Sequence, residues 1–180
     1  MAPRFLLPVM PPMSTRNYSR LHVLLHWTFA TIIIWATLSG FGNALLNLPT
    51  VIADGINFIN VSLTFLLIPL LGLRVVCALD RQEPASPHRL ARLLAKGGHL
   101  ALYLTTGLVL ATGVLMMERP INVFGLLSLP QPLQEPLLTA FFNRVHKYAC
   151  VVLALLVVGH VAAVVIHHWR GEKLLRHMSL

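Results

Sequence analysis

The sequence predicts an all-α protein of the integral membrane class, a four-helix bundle. The 180 residues are 56% hydrophobic and 11% charged, whereas soluble domains carry about 25% charged residues. The apolar residues fall into four runs, each able to supply the roughly 20 residues that cross a bilayer as a helix. The four helices are expected at about residues 21–42, 57–78, 97–117 and 144–169. This leaves room for one compact membrane domain and little else.

The first two helices come from the least charged part of the chain. The stretch Leu21–Ala53 is 33 residues long and contains no Asp, Glu, Lys or Arg. Gly40 and Gly42 indicate where the first helix ends. The second helix is uncharged until Arg74, whose long side chain can reach an interface. Pro69 lies inside this helix, and neighbouring membrane helices tolerate such a kink.

Proline-containing segments separate the remaining helices. Residues 79–96 are polar and basic and are predicted to be a loop, which Gly97 and Gly98 close. Residues 118–143 contain four prolines and cannot form one long helix, so we expect a segment lying along the membrane surface. Residues 1–16 are predicted to be a mobile tail, because prolines break their apolar stretch and a signal peptide needs a longer one.

The basic residues predict the orientation and the partners. Eleven of the 14 Lys and Arg residues lie in the N-terminal tail, in region 74–96 or in the C-terminal tail. The positive-inside rule therefore places both termini in the cytoplasm. The net charge of +8 is explained by the membrane surface, so we expect lipid and no nucleic acid as a partner. The absence of a Cys-x-x-Cys motif excludes covalent haem attachment and common zinc spacings.

Among the nine histidines, His26, His146 and His160 lie within or just inside the predicted membrane spans. An imidazole in hydrocarbon without a partner costs roughly 2–7 kcal/mol, so such residues indicate function. His146 and His160 are 14 residues apart, which is about 21 Å along a helix, with directions that differ by about 40°. One helix thus directs two imidazoles into the bundle, one near each membrane face, which suits the axial ligation of two stacked haems.

His160 has a possible partner on another helix at the same depth in the membrane. His26 and His160 lie about five and nine residues inside the cytoplasmic ends of their helices, and so stand within a few ångströms of the same depth. They can therefore ligate one iron between them. The position level with His146 on the second helix falls at residues 58–61, which contain no histidine.

These features resemble the bacterial cytochrome b561 family over about residues 17–178. The matching segments are Tyr18-Ser19-Arg20-Leu21, His26-Trp27, Gly98-His99-Leu100, Met116-Met117, His146, His160, His167-His168 and Leu174-Leu175-Arg176. The resemblance implies a multi-pass protein of the bacterial inner (cytoplasmic) membrane that binds b-type haem and exchanges electrons with quinone, as in a respiratory chain. Superoxide oxidation is also associated with the family. The resemblance leaves undecided whether the protein is also an enzyme, a haem-dependent oxidoreductase linked to quinone.

The resemblance further implies which residues bind haem. His26 and His160 match one inner ligand pair, and His146 matches half of an outer pair. Asn60 stands where the other outer ligand is expected, and an amide is a poor iron ligand compared with imidazole. We therefore expect one haem b. The second site is left open: it is empty, five-coordinate or ligated by another group, such as a methionine near the end of the third helix.

Other residues have less specific roles. Arg20 and Arg74 could pair with haem propionates, because guanidinium forms two parallel bonds to a carboxylate. His99 is expected to be a helix-start or propionate-side residue. The alternative function is a haem-deficient membrane assembly or transport module that retains the fold. Assembly with a partner subunit or with a second copy of the chain is also open.

Overall fold

The computed structural model describes residues 20–79 and 89–170, which form four long helices and one short hairpin. The elements are α1 (Arg20–Leu45), α2 (Thr50–Leu79), α3 (Arg89–Leu115), β1 (Ile121–Val123), β2 (Leu127–Leu129) and α4 (Pro136–Trp169). Within these described ranges, all four helices are long and apolar enough to cross a membrane. The predicted all-α membrane bundle is thus confirmed. The predicted tail, residues 1–16, and residues 80–88 of the predicted loop lie outside the described residues.

The helices extend beyond the bounds that the sequence predicts. The start of α4 is Pro136 rather than residue 144, because a proline in the first helical turn lacks only an N–H that would have no helical partner there. α2 starts at Thr50, directly after Pro49, rather than near residue 57. Gly97 and Gly98 lie inside α3 instead of preceding it. A glycine costs a helix only about 1 kcal/mol, which the flanking helical residues outweigh.

The bundle is held by contacts between helices that follow each other in the chain. α1 packs on α2, α3 packs on α4, and α2 also packs on α3. One buried cluster consists of Phe29, Leu67 and Leu110, one residue from each of α1, α2 and α3. Most other large apolar side chains point outward, as expected where lipid surrounds the helices and close packing holds them together.

A short β-hairpin caps one end of the bundle. β1 and β2 pair antiparallel, with Asn122 opposite Ser128, and Gly125 adopts a left-handed conformation (φ 72) in the turn. The fully buried hydroxyl of Ser62 on α2 accepts the backbone N–H of Phe124 at 3.0 Å and donates to the carbonyl of Asn122 at 3.4 Å. The segment predicted to lie along the membrane surface therefore contains a hairpin fastened to α2, followed by the first turns of α4.

Because the four helices alternate in direction, the bundle has two distinct halves. We call the half with the start of α1, the end of α2, the start of α3 and the end of α4 the terminal-side half. The opposite half, next to β1 and β2, is the hairpin-side half.

Candidate haem site

Two histidine rings from opposite ends of the chain meet in the terminal-side half. His26, on the second turn of α1, and His160, near the end of α4, have ring centroids 6.5 Å apart, with their planes inclined at 57°. His99 has its ring centroid 5.6 Å from that of His160. It lies ten residues inside α3, which begins at Arg89, so it is not the helix-start residue that the sequence predicts. The edge of the Trp27 indole packs on His26 at 5.6 Å. Helices from three parts of the chain therefore place three imidazoles at one depth.

A cationic side chain from α2 completes this cluster. The Nη2 atom of Arg74 donates a hydrogen bond to Nδ1 of His26 at 2.9 Å. The guanidinium carbon lies 5.5 Å from the ring centroid of Phe29 and 5.7 Å from that of Tyr103, within the range of cation–π attraction. The Nη1 atom of Arg74 is buried and has no hydrogen-bond partner in the described part of the chain.

The residues of the terminal-side half fit a b-type haem. With metal–nitrogen bonds of about 2 Å and ring centres about 1 Å behind the nitrogens, two imidazoles on opposite sides of one iron have centroids about 6 Å apart. The 6.5 Å between His26 and His160 and the 5.6 Å between His99 and His160 are both close to that separation. It is the family resemblance that selects His26 as the partner of His160. The unsatisfied Nη1 of Arg74 is a donor that an anionic group can use.

The third predicted ligand, His146, lies in the hairpin-side half and is surrounded by other partners. Its Nδ1 is 3.1 Å from the carbonyl oxygen of Val109 and 3.2 Å from the hydroxyl of Thr112, both on α3. Its Nε2 is 3.4 Å from Sγ of Cys150, one turn further along α4. Gly113 faces the same ring so closely that a Cβ there would lie 3.2 Å from Cε1 of His146. The contacts with Val109, Thr112 and Gly113 join α3 to α4, whereas the contact with Cys150 lies within α4.

Asn60, which the sequence predicts to lie level with His146, is also hydrogen-bonded. The hydroxyl of Ser39 on α1 donates to Oδ1 of Asn60 on α2 at 3.0 Å. One turn away, Nδ2 of Asn43 donates to Oδ1 of Asn57 at 3.0 Å. We call these four residues the polar seam. The seam uses Asn60 to join α1 and α2, at the depth where the sequence analysis placed a missing ligand.

Three side-chain contacts of His26 and His146 were not predicted from the sequence. The Arg74–His26 bond joins residues 48 positions apart, and no local pattern indicates it. The Cys150–His146 contact has a spacing of four residues on one helix, so helical periodicity alone could have identified it. Thr112 could not have been found in this way, because its contact with His146 crosses between helices.

Comparison with known proteins identifies the relatives of this fold. A family model described as prokaryotic cytochrome b561 matches residues 17–179, which include all four helices and the predicted ligands His26, His146 and His160. A comparison with curated proteins gives no match.

Proposed function

The chain belongs to the prokaryotic cytochrome b561 family and is a membrane b-type cytochrome of the bacterial inner membrane, and we propose that it carries one haem b between His26 and His160. The observation that supports this assignment best is the approach of these two rings, from α1 and α4, to 6.5 Å. Haem supplies a one-electron change of its iron, which is the basis of electron transfer.

The chain's own residues do the remaining work in this proposal. His26 and His160 hold the iron, and neutral imidazole is a common axial ligand for electron transfer. Phe29, buried and in contact with Arg74, helps to exclude water and lowers the local dielectric constant. Arg74 supplies positive charge within the apolar surroundings, where electrostatic interactions are stronger than in water.

A single haem also restricts where electrons enter and leave. The proposed site lies in the terminal-side half, and from the distribution of basic residues we infer that this half faces the cytoplasm. We propose that a quinone exchanges electrons there, in line with the family resemblance. Because one haem near one face does not span the bilayer, the chain acts at that face alone or passes electrons to a partner subunit.

Spectroscopy of the purified protein tests the proposal. A reduced-minus-oxidised spectrum should show a b-type signal, and extraction should yield about one haem per polypeptide. A water-soluble quinone analogue should reoxidise the dithionite-reduced protein once excess dithionite has been removed. A ratio near two would refute the single-haem assignment, and reduced protein inert to quinones would refute the choice of partner.

The alternative is a haem-deficient assembly or transport module. The polar seam favours it, because the seam uses Asn60 as a structural residue where a ligand is expected. The meeting of His26 and His160 next to an unsatisfied guanidinium nitrogen argues against it. Protein that stays colourless after expression with added haem precursor would support the module.

A further inference from the structure

Arg74 is a cation without a counter-ion in the described part of the chain. That part contains three acidic residues, Asp54, Glu118 and Glu135, at the start of α2, just after α3 and just before α4. All three therefore lie in the hairpin-side half, and Arg74 lies in the other. A guanidinium within a membrane bundle normally pairs with an acid, with backbone carbonyls or with a water-filled cavity. Instead, Arg74 donates to a neutral imidazole and leaves a buried Nη1 without a partner.

The bond to His26 has a consequence for the proton on that ring. Arginine has no acceptor atom, so Nδ1 of His26 must accept, and the ring proton must sit on Nε2. Iron at Nδ1 would need the lone pair that Arg74 already uses. Iron at Nε2 would need the proton moved to Nδ1, where it would face a guanidinium donor. Arg74 must therefore leave His26 before either nitrogen of that ring can ligate iron.

Haem b has acidic side chains that can replace His26 as the hydrogen-bond partner of Arg74. Its two propionate side chains are carboxylates, and a planar guanidinium binds a carboxylate through two parallel charge-assisted bonds. Such a pair would satisfy both Nη1 and Nη2 of Arg74. The imidazole stays neutral during this exchange, because the proton given up at Nε2 is matched by one taken up at Nδ1.

Building on the proposed haem function, we propose that Arg74 is a positioning residue that blocks His26 in the haem-free protein and releases it when it binds a carboxylate of the incoming haem. Arg74 thus couples recognition of the cofactor's acidic edge to ligation of its iron. Porphyrins without free carboxylates would leave His26 blocked, so the same residue selects against them.

The test compares haem b with its dimethyl ester, in which both carboxylates are neutral. Haem-free full-length protein in detergent micelles is titrated with each compound, and the Soret band is followed. Wild-type protein should bind haem b at least about tenfold more tightly than the diester, because the diester cannot satisfy Arg74. Equal affinities for the two compounds would overturn the proposal. This comparison needs no variant, so it does not depend on any variant's folding.

The variant Arg74→Leu gives the distinguishing result. It should bind the diester more tightly than wild-type protein does, because His26 is no longer blocked, and it should lose the preference for haem b. Arg74→Lys should retain that preference, and Arg144→Leu, which removes an exposed arginine in the hairpin-side half, should behave as wild type. Equal weakening of both compounds in Arg74→Leu would mean a purely structural role. If wild-type protein bound neither compound, the proposed haem function would fail, an outcome distinct from equal affinities.

Discussion

The two halves of the bundle contain similar residues that are arranged in opposite ways. In the terminal-side half, His26 and His160 face each other, and the neighbouring Arg74 retains a buried donor without a partner. In the hairpin-side half, His146 has a partner at each ring nitrogen, and Asn60 is bonded to Ser39. The first arrangement leaves binding capacity for a charged cofactor. The second uses its polar groups to hold helices together.

This difference shows that a histidine within a membrane helix does not by itself indicate a haem ligand. A buried imidazole needs partners in either case, and those partners determine its role. Where both ring nitrogens have protein partners, as in His146, the ring fastens two helices. Where another imidazole stands across a gap of the right width, the ring can share a metal.

The largest expected effect comes from removing one ring of the facing pair. His160→Ala should abolish the b-type absorption signal, because the iron loses an axial ligand that no residue of α4 at that depth replaces. His146→Ala, the same change on the same helix, should retain the signal. Reduced-minus-oxidised spectra and haem content per polypeptide measure both variants. Equal loss of haem in the two variants would contradict the distinction between the halves.

The second largest effect is on stability, and it is expected in the hairpin-side half rather than in the terminal-side half. In haem-free protein, His146→Ala should lower the free energy of unfolding by about 1–3 kcal/mol, because it removes hydrogen bonds between α3 and α4. His168→Ala, which changes an exposed imidazole on the same helix, serves as the control and should have little effect. Denaturation in mixed micelles with increasing dodecyl sulfate measures the difference. An unchanged stability of His146→Ala would show that its contacts do not fasten the helices.

The polar seam should contribute less than His146. Asn60→Ala removes one hydrogen bond between α1 and α2, and bonds of this kind in membrane proteins contribute about 0.6 kcal/mol on average. The same denaturation measurement applies, with Asn47→Ala in the exposed α1–α2 connection as the matched control. Haem content should stay unchanged. Loss of haem in Asn60→Ala would instead link this residue to a cofactor.

A further effect, similar in size to that of Asn60→Ala, concerns two glycines in different surroundings. An added Cβ meets nothing within 4 Å at Gly159 on α4, but lies 3.2 Å from the His146 ring at Gly113 on α3. Gly159→Ala should therefore gain up to about 1 kcal/mol of helix stability. Gly113→Ala should gain less or lose stability, because the imidazole has to move. A larger gain at Gly113 than at Gly159 would mean that the ring is not packed closely against α3.

The helix ends show which features local sequence patterns can predict and which they cannot. The four apolar runs were sufficient to predict four helices and their order, because burial in lipid requires each run to satisfy its own backbone hydrogen bonds. The ends were less predictable, because prolines and glycines permit either a break or a start. Pro136 begins α4, while Pro69 is carried inside α2, and only the neighbouring residues distinguish the two cases.

Spacing along the chain was enough to predict an all-α membrane bundle and to place His26 and His160 at one depth, since rise per residue is a constant of the helix. Depth does not fix which neighbour each ring meets, because that depends on how the helices rotate and pack against one another. The contacts of Arg74 with His26 and of His146 with Val109 join residues 48 and 37 positions apart. Such contacts exist only once the helices are assembled, and they distinguish a site able to take a cofactor from one that binds helices together.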